Sequence, residues 1–243
     1  MSEKKNSYVI GIDGMQGSGK SQQLELLAKS YAEAWAQVLI CKWSGSRTWT
    51  WEESPFFYNP INNYRQDFHM RHYTDNTTND LLWPIEDREQ ATSILHQELI
   101  DVLGMQQYDI ILLDRTILTI YSLALQKDNT IWFHKAMSYY EKKYSFVPYL
   151  PDSLIALIVD DTKILEQRVK NRWTHTLVKQ EILKKTPDFM YAVNQFNNDL
   201  SKCTNFAIID CTVNKVQVHQ AIIKRLNTVP WNPFVLQSQN ISL

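Results

Sequence analysis

The sequence has few of the features that mark secreted, membrane-spanning or metal-binding proteins. Its 243 residues include three cysteines, Cys41, Cys203 and Cys211, which lack the spacing of metal ligands. This low number predicts reduced thiols in a cytoplasmic protein. No apolar run is long enough to span a membrane, and the polar residues 1–6 lack a secretory core. We therefore expect a soluble, cytoplasmic protein that has no membrane partner.

The chain also has no marked excess of positive or negative charge, which argues against a nucleic acid polymer as its partner. Lysine and arginine number 25 against 26 aspartate and glutamate residues, so the formal net charge is −1. Proteins that bind polynucleotides usually carry a basic excess that neutralises phosphates. With 44% hydrophobic residues, the chain can instead bury the core of a single α/β domain over residues 1–243.

Glycine is scarce, and its main cluster carries the clearest motif of the chain. The sequence has six glycines, of which three fall within residues 14–21. This segment fills the pattern G-x-x-x-x-G-K-[ST], in which glycines let backbone N–H groups surround nucleotide phosphates. In such loops the lysine, here Lys20, reaches the terminal phosphates, and the hydroxyl of Ser21 binds Mg²⁺. The candidate phosphate-binding residues are Gly14, Gln16, Gly17, Ser18, Gly19, Lys20, Ser21 and Gln22.

The residues around this loop predict the strand and the helix that the motif requires. An apolar, β-branched run over residues 8–12 predicts a buried strand before the loop. Apolar residues then recur at helical spacing, and the N-terminus of the predicted helix adds its positive dipole end to the phosphate site. The expected buried stripe consists of Leu24, Leu27, Ala28, Tyr31 and Trp35. The alternative is a glycine-rich turn with an incidental lysine.

Strands and helices are predicted to alternate along the rest of the chain. Apolar runs predict strands over residues 38–41, 108–114, 154–160 and 206–210. Helical spacing predicts helices over residues 87–104, 117–127, 130–145 and 216–226, with a further helix capped by Asp161 or Thr162. This alternation predicts an α/β fold with a mostly parallel sheet, helices on both faces and ligands at the carboxyl ends of the strands. The run over residues 228–243 predicts an irregular strap or a frayed tail.

Asp114 ends the predicted strand over residues 108–114. In nucleotide-binding sites, a strand parallel to the one before the phosphate loop brings a carboxylate beside the Mg²⁺ ion. Asp114 and Ser21 are therefore the candidate metal ligands. The alternative is that Asp114 only caps the helix that follows it.

Residues 43–74 are rich in aromatic side chains and include Arg47, Arg65 and Arg71. One interpretation is an insertion whose aromatic residues pack a small satellite core. The other is a wall of flat side chains and cations around a pocket for an aromatic, anionic substrate. In the second case Arg47 is a candidate substrate-binding residue.

Six ordered segments of the chain match patterns of one enzyme family. They are residues 12–23, 81–90, 114–126, 151–160, 187–196 and 209–219. The second segment is similar to "LLF-x-A-D-R-A-Q", the third to "DRY…S-x-A-Y-Q" and the fourth to "PDL-x-x-x-L-D". The chain therefore resembles the thymidylate kinase family of P-loop nucleoside monophosphate kinases.

The resemblance implies a fold, cofactors and partners. It implies a five-stranded parallel sheet of order 2-3-1-4-5 and a helical lid over residues 168–188. ATP would be the phosphate donor, bound with Mg²⁺ at the phosphate loop, and a nucleoside monophosphate would be the small-molecule acceptor, with dTMP as the default. Families of this kind often form homodimers, although no exposed stripe in the sequence proves one.

The resemblance also assigns roles to individual residues. Arg88 would contact the acceptor base, Trp83 would stack on it, and Arg115 would bind the acceptor phosphate. The implied catalytic residues are Lys20, Asp114, Arg115, Arg168 and Arg172. Without the resemblance, Arg88 is a surface residue that pairs with Glu86 or Glu89, Trp83 is a core aromatic, and the two lid arginines are surface charges.

Three departures from the family all lie on the acceptor side. Gln16 stands where the family has an acid, so a negative charge and a candidate base are lost. Residues 42–47 replace the "R-E-P-G-G-T"-like turn, and Thr116 replaces the aromatic residue after Asp114-Arg115. The donor side therefore matches the family better than the acceptor side does.

The leading functional hypothesis is transfer of the γ-phosphate of Mg-ATP to a nucleoside monophosphate. One alternative is a kinase of a nucleoside or of another small molecule, since the departures touch the acceptor side. A second alternative, from another class, is a nucleotide-binding regulatory protein that does not transfer phosphate. Residues 43–80 are expected to form an aromatic-rich insertion on the acceptor side of the single domain.

Overall fold

A computed structural model describes residues 7–15, 17–42, 89, 103, 107–144, 149–172, 176–199 and 204–236 of the chain. Five strands and six helices follow one another in these residues. The strands are β1 (Tyr8–Gly14), β2 (Val38–Lys42), β3 (Ile110–Asp114), β4 (Ser153–Ile158) and β5 (Asn205–Asp210). The helices are α1 (Lys20–Glu33), α2 (Ile117–Lys127), α3 (Phe133–Tyr144), α4 (Thr162–Arg172), α5 (Thr176–Asp199) and α6 (Lys215–Asn227).

The strands form one parallel sheet in the order β2-β3-β1-β4-β5, which confirms the predicted topology. Strand β1 lies at the centre, and all its residues are buried. Its last residues face the ends of both neighbouring strands, since Ile12 pairs with Asp114 of β3 and Gly14 pairs with Leu157 of β4. The phosphate loop therefore leaves the sheet where β3 delivers its terminal carboxylate.

Helix α1 packs its apolar stripe against the sheet, with one exception. Leu24, Leu27, Ala28 and Tyr31 are 0% exposed, as predicted, whereas Trp35 is 93% exposed. The expectation for Trp35 was wrong because the helix ends at Glu33, and Trp35 adopts a left-handed backbone with φ of 65°. Beyond the last helical residue, the 3.6-residue period no longer decides which way a side chain points.

The cap of helix α4 settles one of the alternatives left by the sequence. The Asp161 carboxylate accepts hydrogen bonds from the N–H groups of Lys163 at 2.8 Å and Ile164 at 3.2 Å. Asp161 is therefore the N-cap, and Thr162 is the first helical residue.

The chain after helix α6 forms a strap against the core as far as Leu236. Val229 and Leu236 are buried, and the Asn227 side chain donates to the Leu236 carbonyl and accepts from its N–H group. Phe234 packs edge-on against Tyr31 of helix α1. Within residues 228–236 the strap interpretation is therefore confirmed, and residues 237–243 lie outside the described part of the chain.

Two cysteines, Cys41 and Cys211, lie in the described residues. Cys211 follows strand β5 and is 1% exposed. Burial raises the pKa of its thiol to about 12, with smaller effects from the charges of nearby side chains. A thiol with such a pKa is neutral and unreactive at physiological pH.

His219 of helix α6 is a buried imidazole at the contact with helix α1. It is 1% exposed, and its Nε2 lies 3.2 Å from the Ser30 hydroxyl, while Nδ1 has no hydrogen-bond partner among the described residues. Burial lowers its pKa from 6.5 to about 4 because the charged form would lose its hydration. The folded protein therefore holds this side chain neutral near pH 5, whereas the unfolded chain binds a proton there.

We expect His219 to make the fold sensitive to acid. Stability is lost as the pH falls from about 6.5 toward about 4, and the loss between pH 7 and pH 5 should be about 2 kcal/mol. His219→Gln should flatten the pH dependence of the free energy of unfolding, measured by urea titration at each pH. His134→Gln, a control at an exposed histidine of helix α3, should leave the pH profile as it is in the wild type. An identical profile for His219→Gln would contradict this assignment.

Candidate active site

The phosphate loop has the backbone that its glycines predict. Gly17 and Gly19 adopt left-handed conformations with φ of 88° and 86°, which other residues enter only with strain. Gly14 is required for a different reason, because a Cβ there would lie 2.5 Å from the carbonyl oxygen of Leu157. The loop therefore depends on two glycines for conformation and on one for space.

Lys20 is the first residue of helix α1 and folds back into the loop. Its side chain is 8% exposed, and its ammonium group donates to the carbonyl oxygens of Gly14 at 2.6 Å and Met15 at 3.0 Å. The Ser18 hydroxyl donates to the same Met15 carbonyl at 2.8 Å. The cation is thus held at the point where the loop would surround phosphate oxygens.

Arg168 of helix α4 reaches the same loop. Its guanidinium Nη1 lies 3.5 Å from the Gly17 carbonyl oxygen, and its Cβ would contact a Cβ built on Gly17 at 3.5 Å. Arg168 is therefore not a solvated surface charge, which was one of the two interpretations of the sequence. Arg172 is the last residue of helix α4, and its side chain lies outside what the structure describes.

Asp114 ends strand β3 and is buried, with 7% of its surface exposed. It does not cap helix α2, because the N-cap is Thr116, whose hydroxyl oxygen accepts from the Leu118 N–H at 3.4 Å. A buried carboxylate at this edge and the hydroxyl of Ser21 are both hard oxygen donors of the kind that Mg²⁺ prefers. The two residues therefore fit a Mg²⁺ ion that takes its remaining ligands from phosphates and water.

Arg115 follows Asp114 in an unusual conformation. Its backbone is left-handed, with φ of 80°, and its N–H donates to the Ile12 carbonyl at 3.1 Å. A non-glycine residue in this region costs on the order of 1 to 3 kcal/mol and persists only where neighbouring structure enforces it. The side chain is half-buried at the carboxyl edge of the sheet, on the side where the acceptor is expected.

Asp13 is the residue of this site that the sequence analysis did not assign a role. It lies within strand β1 and is 0% exposed, and its carboxylate accepts hydrogen bonds from Gly14, Thr116 and Thr119. The sequence did contain a signal for Asp13, because it is an acid inside an otherwise apolar run that predicts a buried strand. Buried carboxylates are rare unless other groups donate hydrogen bonds to them. Asp13 therefore joins the start of the phosphate loop to the first turn of helix α2.

Part of the predicted acceptor site lies outside the described residues. This applies to Gln16, Arg47, Trp83 and Arg88, whose roles stay predictions. Gln22 is exposed on helix α1.

Glu89, next to Arg88 in sequence, is described and is buried. Its carboxylate pairs with Lys127 at 2.8 Å and Lys143 at 3.0 Å and accepts from the Tyr140 hydroxyl. These partners come from helices α2 and α3, so Glu89 attaches its own segment to that helix pair.

The described residues contain neither a membrane-spanning helix nor a cluster of metal ligands. None of the described helices has both the length and the apolar character needed to cross a bilayer. In the same part of the chain, no three histidine, cysteine or acidic side chains converge as a metal site.

Comparison with known proteins finds similarity both in sequence and in structure. No protein-family model matches the chain. The chain is 28% identical over 229 residues to a probable thymidylate kinase of Methanocaldococcus jannaschii, covering 93% of this chain and 98% of that protein. The thymidylate kinase of Ehrlichia chaffeensis superposes with a TM-score of 0.55 at 17% identity, covering 91% of this chain and 99% of the other. The thymidylate kinase of Candida albicans gives 0.57 at 18% identity, with 92% of each chain covered.

These relatives match the chain almost from end to end. The structural similarities share too little sequence to show more than the fold, which is the P-loop α/β fold that the motifs predicted. The sequence similarity adds that the likeness extends over nearly the whole of both chains. Together, the shared fold and the sequence similarity make this chain similar to thymidylate kinases.

Proposed function

We propose that the protein transfers the γ-phosphoryl group of ATP to a nucleoside monophosphate, with dTMP as the default acceptor. The observation that carries this proposal is the arrangement at the carboxyl edge of the sheet. There, the described residues of the phosphate loop follow β1, Asp114 and Arg115 lie at the end of the neighbouring β3, and Arg168 reaches the loop. The similarity of the whole chain to a probable thymidylate kinase supports the class of acceptor.

Phosphoryl transfer requires mainly that the reacting groups are positioned and that their charge is neutralised. In our proposal the loop N–H groups and Lys20 hold the phosphates of ATP, and the ammonium group exchanges its carbonyl partners for phosphate oxygens. Arg168 approaches the loop from helix α4 and compensates charge on the transferred group. Ser21 and Asp114 would hold a Mg²⁺ ion, which would neutralise negative charge on the phosphates of ATP.

On the acceptor side, we propose that Arg115 binds the phosphate of the nucleoside monophosphate. Arg88 and Trp83 are proposed to contact its base, and Arg47 is a further candidate for substrate binding. We propose that Arg172 acts with Arg168 in the lid over residues 168–188. These assignments rest on the resemblance of the corresponding segments to the thymidylate kinase family, together with the position of Arg115 at the carboxyl edge of the sheet.

The test is ADP production from Mg-ATP in the presence of single acceptors. We expect ADP release with dTMP, or with a related deoxynucleoside monophosphate, to exceed the rate with ATP alone by at least about a hundredfold. The panel should include every common nucleoside monophosphate, because the thymidylate kinase of Candida albicans has broad substrate specificity. The absence of any acceptor-dependent ADP with these compounds would contradict the proposal.

The same assay separates the alternatives. Turnover with nucleosides but not with monophosphates would indicate a nucleoside kinase. Saturable binding of ATP without turnover on any acceptor would indicate a regulatory nucleotide-binding protein. A cytoplasmic location and a homodimeric assembly are part of our proposal as well, and size-exclusion chromatography with light scattering would test the second.

A further inference from the structure

The carboxylate of Asp13 is the centre of a buried network that joins the two halves of the site. Its Oδ1 accepts from the Gly14 N–H at 3.0 Å and from the Thr119 hydroxyl at 2.7 Å. Its Oδ2 accepts from the N–H and the hydroxyl of Thr116 and from the N–H of Thr119, each at 2.9 Å. One oxygen therefore faces the phosphate loop and helix α2 together, while the other faces helix α2 alone.

Asp13 belongs to strand β1, yet its carboxylate accepts hydrogen bonds from two backbone N–H groups at the N-terminus of helix α2. Thr116 is the N-cap of this helix and Thr119 is its third residue. In a capping box, an acid at the third position bonds the N–H of the N-cap residue. Here Thr119 occupies that position, and Asp13 provides the carboxylate from the central strand. Negative charge at a helix N-terminus is also favoured by the helix dipole.

The network encloses the strained residue Arg115. On its N-terminal side lies Asp114, fixed in the sheet, and on its C-terminal side lies Thr116, fixed by Asp13. The Arg115 N–H is bonded to Ile12, the residue before Asp13. Its left-handed backbone is thus held from both sides, which fixes the direction in which its side chain leaves the backbone at the carboxyl edge of the sheet.

Thr116 is also the position at which the chain departs from the family it resembles, where an aromatic residue follows Asp-Arg. A Cβ built on Gly11 would collide with Thr116 Cγ2, so the neighbouring strand leaves room for this threonine. The departure on the acceptor side therefore has a structural partner in Asp13.

From this geometry we propose that Asp13 is a positioning residue for the acceptor, which acts by holding Arg115 through Thr116 and Thr119. The proposal rests on the proposed function, in which Arg115 binds the acceptor phosphate. Asp13 itself touches neither substrate. Its effect on turnover passes through the backbone of Arg115, so removing Arg115 removes that effect.

Asp13→Asn tests the proposal because the amide should disturb the hydrogen bonds to helix α2 more than the hydrogen bond to the phosphate loop. The remaining oxygen can still accept from Gly14, whereas the amide nitrogen faces the Thr116 and Thr119 N–H groups, which are donors too. We expect kcat/KM for the acceptor to fall by at least about tenfold, because small displacements of positioning groups are costly. The Kd for ATP, measured by calorimetry without acceptor, should change less than about threefold.

The decisive readout is a double-mutant cycle with Arg115→Ala. If Asp13 acts through Arg115, Asp13→Asn should lower kcat/KM less than about twofold in the Arg115→Ala background. Equal losses in both backgrounds would overturn the positioning role and leave a structural one. Thr119→Ser, which retains both hydrogen bonds to Asp13, is the matched control and should keep wild-type values.

Two further results keep the proposed function and the positioning role apart. If the wild-type protein produces no acceptor-dependent ADP, both the proposed function and the positioning role are overturned. If the wild type is active but the losses from Asp13→Asn and Arg115→Ala are additive, only the positioning role is overturned. If Asp13→Asn does not fold, Thr119→Val replaces it in the cycle. This variant removes one hydroxyl donor to Asp13 and should give the same dependence on Arg115, with a smaller loss.

Discussion

Lys20→Ala should lower kcat/KM by about a hundred- to thousandfold and leave the fold intact. The ammonium group is the cation closest to the carbonyls of the phosphate loop, at 2.6 and 3.0 Å, and losing one such charge from a site of phosphoryl transfer costs a few kcal/mol of barrier. The side chain donates hydrogen bonds at the end of strand β1 and the start of the loop, and we expect unfolding to be little affected. The measurement is acceptor-dependent ADP production together with the midpoint of thermal unfolding.

The control for Lys20→Ala is Lys29→Ala. Lys29 lies on the same helix α1 and is exposed, so its loss changes the net charge equally without touching the loop. Activity close to that of the wild type is expected for this variant. If Lys20→Ala retained more than about a tenth of wild-type turnover, Lys20 would not have the role we assign to it.

Gly14→Ala should destabilise the protein by roughly 3 kcal/mol and abolish most of its activity. The added Cβ would lie 2.5 Å from the Leu157 carbonyl oxygen and 2.8 Å from the Ser18 hydroxyl. Leu157 is part of strand β4 and cannot rotate away, so β1 and β4 must separate or the loop must shift. We expect a lower urea midpoint, and turnover that stays low under conditions in which the variant is folded.

Gly19→Asn is the matched control for stability. Gly19 has φ of 86°, but the atom closest to a Cβ there is Gln22 Oε1, at 4.0 Å. Asparagine tolerates left-handed backbone better than most residues, so its cost should stay below about 1 kcal/mol. Equal losses of stability in the two variants would show that crowding against Leu157 is not the reason why residue 14 has to be glycine.

Much of the fold could be predicted because its signals are local. The apolar runs before Gly14 and Asp114 mark strands, and the helical stripe that ends at Tyr31 marks the buried face of α1. These patterns act over a few residues, so the sequence states them directly. The exposed Trp35 shows where this fails, since a helix end depends on backbone conformation rather than on side-chain period.

The boundaries of the long helix α5 were harder to predict. It runs from Thr176 to Asp199 with Pro187 inside it, whereas the sequence indicated only a helical lid that ends at residue 188. Proline favours a helix boundary, but packing of its neighbours against the core can override that preference. Phe189, Val193 and Phe196 are buried in the core, and their burial explains why the helix continues.

The sequence by itself determined the proposed donor half of the site, because the phosphate loop is one continuous segment whose glycines, lysine and serine stand at fixed spacing. The tertiary structure alone decided what joins this loop to the proposed acceptor half. Asp13 and Thr116 are 103 residues apart and Arg168 is 151 residues from Gly17, yet parallel strands bring them to one edge of the sheet. No local pattern encodes such pairs, since a buried carboxylate finds its donors only when the whole sheet and helix α2 are in place.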